Sequence, residues 1–265
     1  MAQSPAPPPP APAIRVDLDQ RASGVIARVT IDNAAKLNTL GGALMIAFVD
    51  AVEALGRRDD LRAVVLTGAG EKAFIGGANI HEMAALDAAG AQAFITLVHR
   101  CCAALRELPV PAIARLNGYA LGAGLEVAAA CDLRVAADNA VFGMPEVKVG
   151  IPSVVEAALL PGLIGWGRTR ELLLFGESIG AASALAWGLV EEVVPPAALD
   201  AAVERRLDAL LACGPQAVRL QKQLIRRWED LTLSQAVQAG IESFTQAYAG
   251  DEPARMMSAF TKRRR

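Results

Sequence analysis

The chain has 265 residues, 53% of them hydrophobic, with 26 Lys+Arg against 28 Asp+Glu. That length fits one large domain, or one domain with a helical appendage, and there are enough apolar residues to bury a sizeable core. The near-neutral charge and an aromatic content of only 5% argue against a nucleic-acid partner, and no apolar run is long enough to predict a membrane span.

Residues 1–13, MAQSPAPPPPAPA, form a proline-rich tail without the basic start and apolar centre of a signal peptide. Proline removes backbone donors and favours extended polyproline structure, so this tail is expected to be disordered, with order beginning near Ile14. In GVIARVTID, Val25, Ala27, Val29 and Ile31 alternate with residues expected to face outward, at the two-residue period of a strand. NAAKLNTL reads as a polar loop, and Leu40, Leu44, Phe48, Val52 and Leu55 then share one face of a helix. LRAVVLTG (61–68) reads as a buried strand. AGEKAFIGGANIHEM begins as a loop in which Gly76 and Gly77 permit close backbone approach, and Asn79 is placed to cap the helix entered by IHEM. A longer amphipathic helix is predicted from the low 90s to Leu108, stopping before Pro109 and Pro111.

PAIARLNG is a further strand. It leads into a turn containing Gly118, Gly122 and Gly124, and then into the helix LEVAAA. CDLRVAA is another strand and AVFGMPEV a short extended piece. The alternation predicts an α/β fold of strand–helix units around a layered sheet. From Val154 onward, VVEAALLPGLIG, GRTRELLLFG and AASALAWGL are short helical patterns separated by glycines, and LVEEVVP is a last strand. Beyond Pro196 nearly everything is helical. In the final helix Asp251 and Glu252 precede Pro253, a favourable first-turn arrangement. The expected organisation is therefore a core over 14–195 and a helical region over 196–265 that packs on a neighbour or forms a subunit contact.

Two acids stand out. Glu126 lies inside the apolar run LEVAAA, and Glu146 follows Pro145 in a second turn-rich stretch. An acid in an apolar helix and an acid after a tight turn suggest a buried pair of carboxyl groups, whose meeting depends on tertiary structure. Cys101, Cys102, Cys131 and Cys213 show no metal-type spacing, and with only His81 and His99 beside them no metal site is expected. The four are read as reduced thiols of a cytoplasmic protein.

The stretches KLNTL, KAFIGGANIHEM, NGYALGAGLEVAAACDLRVAAD, FGMPEVKVGIP and SAFTKRR occur in an order and spacing that resemble the enoyl-CoA hydratase/isomerase (crotonase) family. The resemblance runs from about Val25 to Arg263. It implies a superhelix of ββα turns with a C-terminal helical oligomerisation region, trimers often paired into hexamers, and coenzyme A thioester substrates. Coenzyme A is then part of the substrate, and no separate cofactor is expected.

Family reactions pass through a thioester enolate, stabilised by two backbone N–H groups aimed at its oxygen. By motif position these donors fall on Ala78 in GGANI and Ala123 in LGAGLE; relatives commonly have glycine at the second, and alanine keeps the N–H. Glutamates matching Glu126 and Glu146 are both present in hydratases. There the first helps activate water and the second delivers a proton to C2 of a trans-2-enoyl-CoA. Isomerases commonly retain only the second, so having both favours a hydratase, a hydro-lyase of fatty acid metabolism. The alternatives are a double-bond isomerase, a specialised hydroxyacyl-CoA dehydratase, or a non-catalytic acyl-CoA-binding member. Lys36, Lys262 and secondarily Arg263 are the expected cationic contacts to coenzyme A, and the Gly76 backbone is expected to accept from the adenine amino group.

The chain departs from the family where a glycine-rich segment usually follows IP. Here Ser153 and Glu156 appear in IPSVVEAALLPGLIG. Ser153 is read first as a cap for the VVEAALL helix and otherwise as an acyl contact. Glu156 is read as an acid on a helix face. His81 is read as a solvated helix residue, Cys101 and Cys102 as packing residues, and Tyr119 as either a pocket or a core residue.

Overall fold

The alternating apolar residues of GVIARVTID do form a strand, but one buried on both faces. The protein is described by a computed structural model over residues 11–262. In β2 (Gly24–Asp32), Val25, Ala27, Val29 and Ile31 face the main core, while Ile26 faces a second, smaller one. Burial on both faces is what a mostly parallel sheet requires.

Strand β1 (Ala13–Arg21) pairs antiparallel with β2, from Ala13 opposite Asp32 to Arg21 opposite Gly24. The sequence reading did not include it, and it takes the last residue of the expected disordered tail; residues 1–10 of that tail lie outside the described residues. Ile14, Val16 and Leu18 alternate with charged residues here, yet Val16 and Leu18 stay exposed, so the pattern marks an edge rather than a core.

After β2 the chain passes through a 3₁₀ turn (Ala34–Lys36) and helix α1 (Gly42–Gly56). It then repeats one move three times. β3 (Leu61–Gly68), β5 (Ala112–Leu116) and β7 (Leu133–Ala137) lie side by side and parallel in the first sheet. Each is followed by a three-residue strand in a second sheet: β4 (Ala73–Ile75), β6 (Tyr119–Leu121) and β8 (Val141–Gly143). Helices return the chain between turns: α2 (Ile80–Met83) and α3 (Ala88–Glu107) after β4, and α4 (Ala123–Ala130) after β6. This is the ββα superhelix that the resemblance implies. The three-residue strands are too short to show a period, which is why the sequence read β4 and β6 as loop and turn.

Helix α3 begins earlier than predicted because the Asp87 side chain accepts from the Gly90 N–H at 2.8 Å. It is long and apolar enough to cross a membrane by length and composition alone, with a mean hydropathy of 1.3. Its buried face, however, carries Phe94, Val98, Cys101, Cys102 and Leu105 into the core against α1 and α4.

The predicted VVEAALL helix is instead a 3₁₀ segment (Val155–Leu159) running into α5 (Leu160–Phe175). Gly165, at φ 75° and ψ 160°, breaks α5 between the two helical patterns read from the sequence. β9 (Ser178–Gly180) and α6 (Ala181–Trp187) follow, and β10 (Glu192–Val194) completes the first sheet beside β7. The chain ends in α7 (Leu199–Leu211), α8 (Pro215–Trp228), α9 (Leu233–Ala247) and α10 (Glu252–Lys262). Helix α7 seals the outer face of the first sheet: Leu199, Ala202, Val203 and Leu207 cover Ile26, Val65, Ile113 and Val135.

Candidate active site

The site starts at a turn only glycine suits. Gly122 links β6 to α4 at φ 52° and ψ −124°, a region that side chains rarely enter. Its carbonyl accepts from Leu125 and Glu126 at 2.8 and 3.1 Å, which starts the helix. A β-carbon there would stand 2.5 Å from Oε1 of Glu146. One turn on, a β-carbon on Gly124 would stand 2.1 Å from the Ile75 carbonyl oxygen, so α4 lies against the backbone of β4. Every residue of α4 is buried, and Glu126 goes in with them at 4% exposure.

The second loop is fastened by asparagines. Asn38 is fully buried; its Nδ2 donates to the Ala69 and Ala73 carbonyls at 2.9 and 2.8 Å. Asn117 donates to the Gly70 carbonyl at 2.7 Å from the neighbouring strand end. The Gly76 N–H donates to Leu37 O at 2.8 Å, the Leu40 N–H to Gly77 O at 2.9 Å, and the Asn79 N–H to Leu40 O at 2.8 Å. Asn79 also caps α2 as predicted, accepting from the His81 N–H at 3.1 Å. This lacing leaves out Ala78. Ala123, as the first residue of α4, has no carbonyl behind it, so neither N–H finds a backbone acceptor among the described residues.

Ala78 and Ala123 both line one cavity of about 680 Å³. Glu126, Glu146, Gly76 and Lys36 line it too, so six of the sequence-predicted residues meet there. Its apolar wall comes from Met83, Phe94, Ile95 and Val98 on one side and Val149, Ile151 and Val154 on the other. The contribution of α3 to this wall was missed by the sequence reading, which gave that helix no part in the pocket. Lys36 and His81 are exposed residues of the lining, and Lys148 lines it while paired to Glu177 at 2.7 Å.

The two carboxyl groups live in different surroundings. Burial, reinforced by the nearby Glu146 and Glu156, pushes Glu126 up to about 8; the Ala157 N–H, donating to its Oε1 at 3.3 Å, opposes this. Glu146 sits on the 3₁₀ turn Pro145–Val149, half-buried, with Oε2 accepting from the Ser153 hydroxyl at 2.8 Å.

Ser153 therefore does not cap a helix. The cap position of the following 3₁₀ segment is Val154, with no side-chain cap, and the serine hydroxyl turns to the glutamate instead. Nor is Glu156 an acid on a helix face: it is buried, with Oε1 2.8 Å from His99 Nδ1. Tyr119 is exposed and lines neither the cavity nor the core. Cys101 and Cys102 are fully buried packing residues, and no described His, Cys, Asp and Glu residues gather as a metal site would require. Lys262 stands exposed at the end of α10 and is not part of this cavity within the protomer; Arg263 lies outside the described residues.

The family model described as enoyl-CoA hydratase/isomerase matches residues 21–265. A short-chain-enoyl-CoA hydratase of Clostridium acetobutylicum is 34% identical over 91% of this chain and 93% of its own length. A crotonyl-CoA hydratase of Syntrophomonas wolfei is 33% identical over 91% and 93%. The crystal structure of an enoyl-CoA hydratase from Bacillus anthracis superposes with a TM-score of 0.89 at 31% identity, covering 94% of this chain and 96% of that one.

Proposed function

The chain belongs to the enoyl-CoA hydratase/isomerase family, and on that premise we propose that it catalyses the reversible addition of water to a trans-2-enoyl-CoA. The observation that carries this reading is the meeting of two carboxyl groups and two unpaired backbone amides in one largely apolar cavity.

The chemistry follows from what each group can do. The thioester carbonyl oxygen accepts from the Ala78 and Ala123 amides, which stabilise the negative charge that gathers there; one such donor contributes about 2.7–4 kcal/mol. A water held between Glu126 and Glu146 attacks C3 and loses a proton to one carboxylate. The C2–C3 π electrons move onto the carbonyl oxygen, and the resulting enolate takes a proton at C2 from the other acid. The pair carries one proton into this step and out of it, on opposite carboxyl groups. In the free protein burial places that proton on Glu126 near neutral pH. For Glu126 to activate water, as the resemblance implies, that proton first passes to Glu146, which delivers it to C2 while Glu126 takes the water's proton and is restored.

Lys36 at the cavity mouth and the Gly76 backbone are assigned to coenzyme A, with Lys262 reaching it from the same or a neighbouring subunit. Exposed Leu233, Val237, Ile241 and Phe244 form a stripe on α9 that suits contact with further copies of this chain, as a trimer or hexamer requires.

The test is loss of the enoyl absorbance of crotonyl-CoA on adding the protein. No loss under conditions that support a known hydratase overturns the assignment. Conversion of a 3-enoyl-CoA to the 2-enoyl product without hydration would point to isomerisation instead.

A further inference from the structure

A third acid stands behind the pair, and the proposed reaction gives it no direct part. Glu156 lies in the 3₁₀ segment Val155–Leu159, 8% exposed. Its Oε1 is 2.8 Å from Nδ1 of His99 on α3, while its Oε2 is sealed from solvent with no hydrogen-bond partner. A buried acceptor left unpaired is unfavourable by about 1–3 kcal/mol.

The backbone around it is unfavourable as well. Val155, a β-branched residue, adopts φ +40°, where such residues are rarely found. Strain of this kind persists only where the surroundings impose it. What the segment delivers is the next amide: the Ala157 N–H reaches Glu126 Oε1 at 3.3 Å while also donating to Val154 O at 2.9 Å. One short segment thus holds Glu126 from one residue and is anchored to α3 from the residue before it. A separate cavity of about 230 Å³, lined by His99, Val155 and Glu156, lies along the outer side of this segment.

We propose that Glu156, tied to His99, is a positioning residue for Glu126: it locks the segment so that the Ala157 amide stays on Glu126 Oε1, and it sets a second carboxylate behind that acid. The ionisable groups facing Glu126 are Glu146, Glu156 and the buried thiol of Cys102. Those facing Glu156 are His99, Cys101 and Cys102 of α3, with Arg106 and Glu107 beyond them and Arg226 of α8 across the small cavity. Glu156 works against ionisation of Glu126, as a like charge must.

This inference rests on the proposed hydration for its kinetic arm only, so the first measurement needs no substrate. The Glu126 carboxyl is titrated by infrared difference spectroscopy, its protonated C=O band identified by its absence in Glu126→Gln. In Glu156→Gln, which keeps the shape and an acceptor for His99, the band should be lost at a pH lower by about half a unit or more. In Glu156→Ala the tether goes too. There kcat for enoyl-CoA hydration should fall about tenfold with KM nearly unchanged, while in Glu156→Gln the alkaline limb of kcat/KM should move down with the band. A wild-type titration midpoint in a folded Glu156→Gln protein overturns the proposal, as does wild-type kcat in Glu156→Ala. Absence of hydration by the wild-type protein, with the band shifted, would remove the reaction and leave the positioning intact.

Discussion

The two walls of the cavity that carry the glutamates are built in opposite ways. Glu126 belongs to a regular helix whose eight residues are all buried and whose approach to β4 tolerates no β-carbon at Gly124. Glu146 belongs to a 3₁₀ turn without a single buried residue, steadied by a serine hydroxyl from the following loop. The rigid wall makes ionisation difficult; the open wall gives a carboxyl that water and substrate can reach. A pair with unequal surroundings holds one proton more readily than two or none, and that is the state addition of water requires.

The most severe break in this comparison is to make either acid an amide. Glu126→Gln and Glu146→Gln should each lower kcat by about 10²–10⁴-fold with smaller changes in KM. Because the two share one proton, the double variant should be scarcely worse than the poorer single one. Steady-state hydration of crotonyl-CoA checks both points; multiplicative losses would mean that the acids act independently.

Removing an oxyanion donor leaves both acids in place and comes next in size. Ala123→Pro deletes the N–H at the first helical position, where proline is otherwise compatible with a helix. It should lower kcat by about 10²–10³-fold, with circular dichroism confirming that α4 and the fold persist. Unchanged kcat would remove Ala123 from the reaction.

The asymmetry also predicts stability against pH. Glu126 ionises near 4.5 in the unfolded chain and is pushed up to about 8 in the folded one. The folded state therefore holds a proton that the unfolded state has lost. Its contribution is fully present below pH 4.5 and declines as pH rises to about 8. By pH 7 the decline is on the order of 3 kcal/mol. Glu126→Gln should flatten this slope and raise Tm at pH 8 relative to wild type, trading activity for stability. In the same window kcat/KM of the wild type should fall above pH 8, where Glu126 loses its proton. A pH-independent difference in Tm between the two proteins would place the proton elsewhere.

How much of this was legible depended on how local each cause is. Glu126 announced itself because an acid among Leu125, Val127 and Ala128 has nowhere polar to go, whereas Ala78 and Ala123 were reached only through the motifs that carry the family resemblance. The ββα repeat was only half visible, since β4 and β6 are three residues long and take their hydrogen bonds from distant strands. The segment after Ile151 was misread for a physical reason. VVEAALL has the composition of a helix, but bonds to Glu146, Glu126 and His99 outweigh its propensity and draw it into a 3₁₀ turn with Val155 at positive φ. None of those partners lies within six residues in sequence, so no periodicity could reveal them.

The smallest predicted effect isolates what steadies the open wall. Ser153 donates to Glu146 Oε2 at 2.8 Å, and Gly122 leaves room for Oε1 on the other side. Ser153→Ala removes the first restraint without touching the second. A hydroxyl donating to a carboxylate is worth about 1.5–3 kcal/mol where it is buried, and less at this half-buried position. The loss in kcat should therefore be about tenfold or smaller, with KM for the acyl-CoA unchanged, because the serine is not part of the cavity lining. A rise in KM with constant kcat would instead return Ser153 to the acyl contact read from the sequence. Ser153→Thr, which keeps the hydroxyl, should recover kcat in the first case and worsen KM in the second.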